Sequence, residues 1–484
     1  MHPYELLSSE QVARVHEASL TIMAEVGLDF RHPEALAVLK KGGAKVDGHR
    51  VFFPGALVEN QRVKPPQRFI LHARNPENDV EFGCGQSLYA PANCPAFVTE
   101  ADGMRRLGTL ADYENFVKLT QASENLDLCS NMPVEPSEIA PELRVAETTY
   151  ACLRYSDKCF MGSSMGEVGA EQTLQMVSIA FGDADDASFE PRVISIPCSL
   201  TPLAYDERML GAMIAYARAG QPMIVNSLAS AGATAPATLA GMLALQNAEI
   251  LAGIVLVQMI REGTPVVYGS GSSSADMRSG MLSVGAPEMA INNVMVAQMA
   301  RFYEIPCRAV GTLTDAKGID VQAGYESMMN LLAAQSAGVD FILHAVGSLE
   351  TINSISYEKF VIDEEMVGMV RRIGRGVNID DETLALEVIR QAGPCGQFLD
   401  KDHTFEHFER ELFFPRLGNR DSYARWREKG AAPLQEAAGQ RWRQILEEYQ
   451  PPDFPKSTID DLRRWMEALS GGGKNRNAPV PQTA

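Results

Sequence analysis

A set of polar and aromatic side chains recurs at one kind of place in this sequence, at or just beyond the carboxyl ends of short runs of apolar, β-branched residues. The set consists of Phe97, Asn131, Ser163, Ser199, Asn226, Ser270, Thr314, Asp315 and His344. Hydrolysis by paired acids needs two neighbouring carboxylates, and a catalytic zinc site needs three protein ligands. The set is rich in hydroxyls and poor in carboxylates and histidines, so it disfavours both chemistries, and we expect no metal site.

His344 ends the apolar run 340–345 and is the strongest candidate for a functional histidine. The alternative is a hydrogen-bonded structural histidine, and both interpretations stay open. The other histidines fall in flanking segments, where we expect surface or structural roles.

The run GSGSSSADMRSG at 269–280 contains Ser270 and Ser272 and is rich in glycine and serine. It matches neither G-x-G-x-x-G nor the P-loop pattern, and it lacks the lysine of a P-loop. We therefore expect a rim loop that shapes a binding-site mouth or contacts a partner. Ser199 and Ser227 lack a G-x-S-x-G context, which disfavours a serine nucleophile.

Aromatic rings near the same loops suit a cationic ligand. A quaternary ammonium has no N–H to donate, so it is held by opposite charge and by the negative faces of aromatic rings. The six candidate rings belong to Tyr89, Phe97, Tyr205, Tyr268, Tyr357 and Phe360. Each ring is more often a packing residue than part of a cage, and we expect two or three of the six to line the pocket.

The elements that must position these residues form a repeat of an apolar run, a loop and a segment with helical periodicity. The repeat occurs eight times. The predicted strands are residues 94–99, 126–131, 158–162, 192–197, 222–226, 265–269, 306–311 and 340–345. The predicted helices are residues 111–122, 141–156, 170–181, 206–219, 237–261, 287–303, 322–338 and 357–372.

Continuously apolar strands separated by helices predict a parallel sheet covered by its crossover helices. Eight such units favour an α/β fold of the (β/α)₈ TIM-barrel type, whose active site lies at the carboxyl ends of the strands. The competing arrangement is a doubly wound open sheet. It would more often show a glycine-rich nucleotide turn after its first strand, and the sequence has none there.

Segments on both sides flank the repeat. We expect an N-terminal cap over residues 1–85, with a helix at 9–26 capped by Ser9 and short strands at 50–53 and 68–72. The barrel is expected over 86–375 and a C-terminal helical extension over 376–470. Residues 471–484 are poor in apolar side chains, so we expect disorder there.

Composition narrows the possible partners. The chain has 484 residues and a formal net charge of −19, which disfavours nucleic acids and anionic membrane surfaces as partners. The N-terminus resembles no signal peptide, and eight scattered cysteines form no C-x-x-C pair. We expect a soluble, cytoplasmic protein with reduced thiols and no membrane partner, and a homo-oligomer is the default expectation.

Four long stretches carry a resemblance to a known family. They are SLTPLAYDERM at 199–209, TAPATLAGMLALQNAEILAGIVLVQMIREGTPVVYGS at 234–270, LTDAKGIDVQAGYES at 313–327 and SYEKFVIDEEMVGMVRR at 356–372. In this order they resemble the trimethylamine methyltransferase family, and the likeness runs from about residue 7 to about residue 465.

The resemblance implies a barrel whose mouth receives the corrinoid of a separate protein, because this chain has no D-x-H-x-x-G corrinoid-binding signature of its own. It therefore implies a corrinoid protein as partner and no permanently bound cofactor, with Ser270 and Ser272 of the rim loop as contacts to the corrinoid. Founding members carry pyrrolysine in the barrel, and the corresponding loop here is 314–320, with Gly318 at that position.

Members without pyrrolysine include demethylases of quaternary amines such as glycine betaine, proline betaine, carnitine or γ-butyrobetaine. A methyltransferase of this kind would pass a methyl group from a small quaternary amine to Co(I), with Asp315 and the ring faces stabilising the ammonium and His344 orienting a carboxylate. The alternatives are a tertiary amine such as trimethylamine as methyl donor, or a non-catalytic binding subunit with the same fold.

Overall fold

Parallel strands and the helices between them form the central part of this α/β protein. A computed structural model describes residues 3–182 and 190–470. The parallel strands are Leu88–Tyr89, Leu128–Cys129, Cys159–Phe160, Met223–Ser227, Val266–Ser270, Cys307–Val310 and Phe341–Leu343. Between the third and fourth of these, residues 194–198 contribute isolated parallel bridges rather than a continuous strand.

The pairing of these segments follows the order of the chain. Leu128–Cys129 pairs with Cys159–Phe160, Met161 bridges Ile194, and Ser195 bridges Met223. The pairs that follow are all parallel, and they run through the strands beginning at Met223, Val266, Cys307, Phe341 and Leu88. The N–H of Asp127 then donates to the carbonyl oxygen of Tyr89 (2.9 Å), so the second segment lies beside the first.

Side chains from seven of the eight segments meet in one hydrophobic cluster, which we call the interior. Its strand members include Leu88, Leu128, Cys159, Met161, Ile194, Ile224, Val267, Phe341 and Leu343. An antiparallel pair, Phe69–Leu71 with Val80–Phe82, inserts into the same cluster. The rings of Phe82 and Phe341 lie 5.7 Å apart, so this pair fills the interior near the amino ends of the strands.

Helices surround the strands, and their bounds match the predicted repeat closely. They are Leu110–Ala122, Pro141–Tyr155, Gly166–Phe181, Glu207–Arg218, Leu239–Ile260, Pro287–Tyr303, Val321–Ser336 and Tyr357–Gly374. Within the described residues, Leu239–Ile260 is the one helix long and apolar enough to cross a membrane. It is largely buried between strands and neighbouring helices, which is the position of a core helix.

Further elements flank the strands and the helices that surround them. The N-terminal ones are Ser9–Thr21, the π-helical Ile22–Val26, Leu28–Phe30, Pro33–Lys41, Lys45–Asp47, Arg50–Phe52, Gly55–Arg62 and the 3₁₀ turn Pro76–Asn78. The C-terminal helices are Asp381–Leu384, Leu386–Ala392, Asp402–Glu411, Tyr423–Glu428, Leu434–Glu448 and Lys456–Ser470. Short loop strands are Phe97–Thr99, Arg105–Leu107, Ala204–Tyr205, Ser230–Ala231, Ser273–Ala275, Leu282–Ser283, Ser348–Leu349 and Ser354–Ile355.

Two sequence predictions are wrong in detail. Residues 94–99 are not the first strand of the repeat: that strand is Leu88–Tyr89, and Phe97–Thr99 pairs with Ser354–Ile355 and Arg105–Leu107 in a separate small sheet. The first helix is capped by Ser8, whose side chain accepts from the N–H of Gln11, and not by Ser9. The prediction of disorder for 471–484 falls outside the described residues.

Candidate active site

Arg308 lies on the strand Cys307–Val310, on the side of the strands that faces the interior. Its Nη1 reaches past Gly269 to donate to Oδ1 of Asn226 (3.1 Å) and to the carbonyl oxygen of Ser270 (3.0 Å). Gly269 permits this crossing, since a Cβ there would lie 3.0 Å from Oδ1 of Asn226. The Arg308 side chain therefore extends across the interior toward two neighbouring strands.

The positive charge of Arg308 is buried without a carboxylate partner in the described part of the chain. The residue is 2% exposed, and its Nε has no hydrogen-bond partner among the described residues. Burial lowers the pKa of the guanidinium to about 10, which leaves it charged at neutral pH. A buried charge without a counter-ion is costly, so this position is suited to an anionic ligand group.

His344 directly follows the neighbouring strand Phe341–Leu343 and holds a left-handed backbone conformation, with φ of +56°. Its Nδ1 accepts a hydrogen bond from the N–H of Asn93 (3.2 Å). Burial, and then the charge of Arg308, lower the imidazole pKa well below its ordinary value. His344 is therefore neutral, with its proton on Nε2, where it can donate to a ligand.

Asn226 and two thiols extend the same polar region. Nδ2 of Asn226 donates to Sγ of Cys198 (3.3 Å). Cys94 is exposed to solvent, although burial among protein atoms raises its thiol pKa to about 12, with Cys198 as an electrostatic neighbour. Solvent therefore reaches the edge of this polar region at Cys94, whose thiol stays uncharged at neutral pH. We call the region bordered by Arg308, His344, Asn226 and the two thiols the cavity.

Glu249 connects two backbone segments that lie next to the cavity. Its carboxylate accepts hydrogen bonds from the hydroxyls of Ser199 (2.5 Å), Thr201 (2.9 Å) and Ser227 (2.7 Å) and from the N–H of Leu203 (2.7 Å). Ser199 follows Cys198, and Ser227 follows Asn226. Glu249 therefore sets the relative position of two cavity residues from outside the cavity.

Asp315 has a comparable connecting role. Its carboxylate accepts from the N–H groups of Val284 and Gly285 (3.0 Å each) and from the hydroxyl of Thr351 (2.8 Å). These contacts join three loops at the carboxyl ends of the strands. In the following loop, a Cβ added at Gly318 would meet no atom within 4 Å.

Four of the six predicted rings contact the helical or N-terminal layer outside the strands. The Tyr89 hydroxyl donates to Gln335, the Tyr268 hydroxyl to Asn247 and the Tyr205 hydroxyl to the carbonyl of Glu249. The Tyr357 ring stacks between Phe116 and Trp442, with centroids 4.4 Å from each.

The other two rings also have neighbours of their own. Phe360 is 1% exposed and packs against Phe116 (5.8 Å between centroids). Phe97 is half-buried in the small loop sheet, with the Arg105 guanidinium 4.4 Å from its ring. The structure does not bring the six rings together around one point.

Ser270 and Ser272 are both fully buried. The Ser270 hydroxyl donates to Oε1 of Gln246 (2.8 Å) on a surrounding helix, and that of Ser272 accepts from the N–H of Ala229 (2.7 Å). Their hydroxyls thus join strand ends to helices and loops, and the exposed part of the predicted rim loop begins beyond them.

Exposed apolar side chains surround the carboxyl ends of the strands. They lie in the loops and first helical turns that follow six of the eight segments, and we call them the apolar rim: Met104, Leu107, Met165, Val168, Leu200, Leu228, Met277, Met281, Val321 and Tyr325. Exposed apolar side chains in neighbouring loops are typical of a protein-binding surface, and methionines adapt to varied partners.

Sequence reasoning missed Arg308, Cys94, Cys198 and Glu249. The candidates were the residues at the carboxyl end of each apolar run and in the loop after it, whereas Arg308 lies near the start of its run. The signal was present, because a charged residue inside a buried strand is rare unless it is paired or functional. Glu249 carries the same signal, since it is the one carboxylate in the helix Leu239–Ile260.

The comparison with protein families gives a match over nearly the whole chain. The family described as "Trimethylamine methyltransferase (MTTB)" matches residues 1–470. Glycine betaine methyltransferase of Desulfitobacterium hafniense (strain Y51) is 46% identical over 449 residues, which cover 93% of this chain and 94% of the relative. Proline betaine:corrinoid methyltransferase of Eubacterium limosum is 32% identical, over 95% of this chain and 96% of the relative.

Two further comparisons are more distant. Trimethylamine methyltransferase MttB of Desulfitobacterium hafniense (strain DSM 10664 / DCB-2) is 31% identical, over 95% of this chain and 93% of the relative. The crystal structure of the monomethylamine methyltransferase (MtmB) of Methanosarcina barkeri aligns with a TM-score of 0.53 at 11% identity, over 96% of this chain and 89% of that one. At that identity the likeness concerns the fold alone.

Proposed function

The chain belongs to the trimethylamine methyltransferase family, and from that premise we propose that it transfers a methyl group from a carboxylate-bearing quaternary amine, such as glycine betaine, to the Co(I) of a corrinoid held by a separate protein. Its membership of this family makes it a methyltransferase. The substrate and the partner are what this proposal adds.

We infer that the eight segments close into a (β/α)₈ barrel, with residues 1–85 as a cap, 86–375 as the catalytic barrel and 376–470 as a helical extension. The order of parallel pairing supports closure, because it passes through all the segments and returns to Leu88–Tyr89. The hydrogen bond from Asp127 to Tyr89 supports the last link.

The unpaired charge of Arg308 is the observation that carries the substrate class. A betaine places a carboxylate a few bonds from its quaternary nitrogen, and a charge-assisted pair with a guanidinium is among the stronger contacts a cavity offers. Trimethylammonium and tetramethylammonium have no anionic group, so the buried guanidinium would repel them. The cavity therefore favours a zwitterion over a simple amine.

A quaternary nitrogen also suits the chemistry of this cavity. Its methyl group leaves behind a neutral amine, so no proton need be delivered. The histidine nearest to Arg308 is neutral, and the two thiols keep their protons at neutral pH. A neutral tertiary amine would instead need an acid or an electrophile, and this region offers no strong acid.

Each cavity residue then has a task. Arg308 and the Nε2–H of His344 hold the carboxylate, and Asn226 keeps the guanidinium in place. The methyl groups consequently face the carboxyl ends of the strands. Glu249 and Asp315 are positioning residues, because they hold the loops and touch no substrate. Such catalysis relies on orientation and on preorganised charge.

The corrinoid, when its carrier protein binds, supplies the nucleophile that accepts the methyl group. The apolar rim around the strand ends supports docking of that carrier, because it surrounds the opening toward which the methyl groups face. We propose that the corrinoid belongs to the carrier, that this chain holds none permanently, and that both proteins meet in the cytoplasm.

The test is a methyl-transfer assay with the full chain, a reduced corrinoid protein and a panel of donors. Glycine betaine, proline betaine, carnitine and γ-butyrobetaine carry both groups. Choline is the matched control, because it replaces the carboxylate of glycine betaine with an alcohol. Tetramethylammonium and trimethylamine complete the panel. The readout is the change in corrinoid absorbance on methylation.

We expect turnover with at least one betaine and none with choline, tetramethylammonium or trimethylamine. Turnover with trimethylamine alone would select the tertiary-amine alternative. Tight binding of a betaine without any turnover would instead select the non-catalytic alternative.

A further inference from the structure

The segment between the barrel helices and the last two helices exposes an unusual amount of apolar surface. We call residues 376–430 the arm. Eleven of the thirty large exposed apolar side chains of the described chain lie in it: Val377, Ile379, Leu384, Leu386, Ile389, Phe398, Leu399, Phe405, Leu412, Phe414 and Tyr423. The arm lies wholly within the described residues, and His407 is its one buried residue. Its helices therefore do not bury enough apolar surface within one chain to offset the entropy of ordering them.

The arm is attached along one side. The Arg372 guanidinium donates to the carbonyl oxygen of Glu411 (2.8 Å). The Glu365 carboxylate accepts from the N–H groups of residues 416–418, and Arg416 pairs with Glu124 (2.6 Å). These contacts fix the middle of the arm on the helix Tyr357–Gly374 and leave the apolar residues on either side of it facing outward.

The start of the arm lies far from the apolar rim. Arg371, at the end of the helix Tyr357–Gly374, pairs with Asp127, which directly precedes the strand Leu128–Cys129. Ile373 and Gly374 line the same surface cavity as Asp340, which precedes another strand. The arm therefore leaves the barrel at the amino ends of the strands, at the end opposite to the rim, and a carrier protein docked on the rim would not cover it.

Charge along the arm is divided into two stretches. Residues 376–411 contain nine acidic and three basic side chains, whereas residues 412–430 contain five basic and two acidic ones. In a chain whose net charge is −19, the second stretch is a place where another acidic surface can approach. When one surface carries both an acidic and a basic stretch, a two-fold rotation can bring the acidic stretch of one copy against the basic stretch of the other.

From these observations we propose that the arm is the interface between two copies of this chain, related by a two-fold axis that sets the acidic stretch of each copy against the basic stretch of the other. A two-fold interface uses the same patch on both partners. Stable interfaces engage roughly 20–30 residues on each side, which the arm can provide. The tail 471–484 is a poor alternative cover, because Val480 is its one large aliphatic side chain.

Sedimentation velocity on the full chain tests the proposal, with Leu399→Glu/Phe405→Glu as the disrupting variant. Val63→Glu/Ile70→Glu is the matched control, since those residues are exposed but lie in the N-terminal part. We expect the mass of two chains for the wild type and the control, and the mass of one chain for the arm variant with unchanged circular dichroism. A single-chain wild type at micromolar concentration, or an arm variant that still pairs, would overturn the proposal.

A charge exchange tests the two-fold arrangement itself. Arg425→Glu/Arg427→Glu makes both stretches acidic, and Glu406→Lys/Glu409→Lys makes the acidic stretch more basic. All four side chains are exposed. Each variant alone should pair weakly, and an equimolar mixture of the two should restore the mass of two chains. A mixture that stays monomeric, or variants that pair as well as the wild type, would show that the stretches do not face each other.

Discussion

Lys359 and Arg308 are both cations buried within the same fold, but their surroundings differ. Nζ of Lys359 lies 2.6 Å and 2.7 Å from the two carboxylate oxygens of Asp363 and 2.8 Å from Oγ of Ser327. Arg308 has an amide oxygen and a carbonyl oxygen as partners, and no carboxylate among the described residues. A paired buried charge holds elements together, whereas an unpaired one remains available to a ligand.

The position of each cation agrees with this distinction. Asp363 also accepts from the hydroxyl of Thr312 and the N–H of Gly347, so the pair with Lys359 joins a helix to two strand ends. Arg308 lies on the inner side of the strands near His344 and Cys198, and Cys198 in turn lies near the solvent-accessible Cys94. The first cation stabilises the contact between a helix and the strand ends, and the second lies on the inner side of the strands.

The largest effect is expected from breaking the paired cation. Lys359→Met leaves the Asp363 carboxylate buried without a counter-charge, so the free energy of unfolding should fall by about 3–5 kcal/mol. The double variant Lys359→Met/Asp363→Leu should recover most of that loss. Urea unfolding measures both, and a single variant as stable as the wild type would show that this pair does not hold the fold together.

Arg308→Gln should impair catalysis strongly and stability little, which is the opposite of Lys359→Met. We expect kcat/KM for a betaine to fall roughly 100-fold, mostly through KM, because a charge-assisted contact worth about 3 kcal/mol is lost. The unfolded chain binds the guanidinium proton more tightly than the folded chain does, so the buried charge costs stability below a pH of about 10. The variant should therefore be as stable as the wild type or more so.

Arg308→Lys is the control for this prediction, since it keeps the charge but loses the forked geometry. It should retain more activity than Arg308→Gln. Arg308→Gln with normal KM and lowered stability would assign Arg308 to the structural class of Lys359.

A smaller effect is expected from Glu249, which acts on the cavity from outside. Glu249→Gln replaces one carboxylate oxygen with an amide NH₂, which cannot accept the hydrogen bond that the N–H of Leu203 donates. This loss should cost about 1–2 kcal/mol of stability and shift Cys198 and Asn226, which border the cavity. We expect KM for the betaine to rise while kcat changes less. A purely structural role would lower the amount of folded enzyme and leave KM unchanged, and active-site titration separates the two outcomes.

The smallest effect is expected from pH. With a betaine as substrate, kcat/KM should stay level from about pH 6.5, the ordinary histidine pKa, up to the pKa of Arg308 at about 10. His344 stays neutral throughout, because burial and Arg308 lower its pKa, and the two thiols stay protonated over most of this range. A bell-shaped profile within this range would point to an essential acid or base that the proposed site lacks.

The free energy of unfolding should also depend on pH in the acid range, because the pKa of His344 is lowered in the folded chain. The folded-state pKa of His344 lies below its unfolded value, so the unfolded chain takes up a proton that the folded chain refuses. The free energy of unfolding should therefore fall as pH drops below about 6.5. His344→Gln should flatten this dependence, and thermal unfolding over a series of pH values measures it.

Periodicity predicted the helices and most strands well, and it predicted the site less well. The helix Pro287–Tyr303 has the predicted bounds, because its start at a proline and its apolar pattern are local signals. Arg308 and Asn226 meet although they lie 82 residues apart, and that meeting depends on the order of strands and on Gly269 leaving room between them. The aromatic residues near strand ends were identified by position along the chain, which does not reveal on which side of the strand layer a ring lies.

Binding of glycine betaine and choline to the wild type and to Arg308→Gln, measured by calorimetry, tests the central claim most directly. The two ligands share the trimethylammonium group and differ in the carboxylate, so their affinity ratio reports the contact with Arg308. We expect the wild type to prefer glycine betaine by roughly 100-fold and the variant to bind both ligands about equally. A preference for glycine betaine that survives in Arg308→Gln would contradict the account.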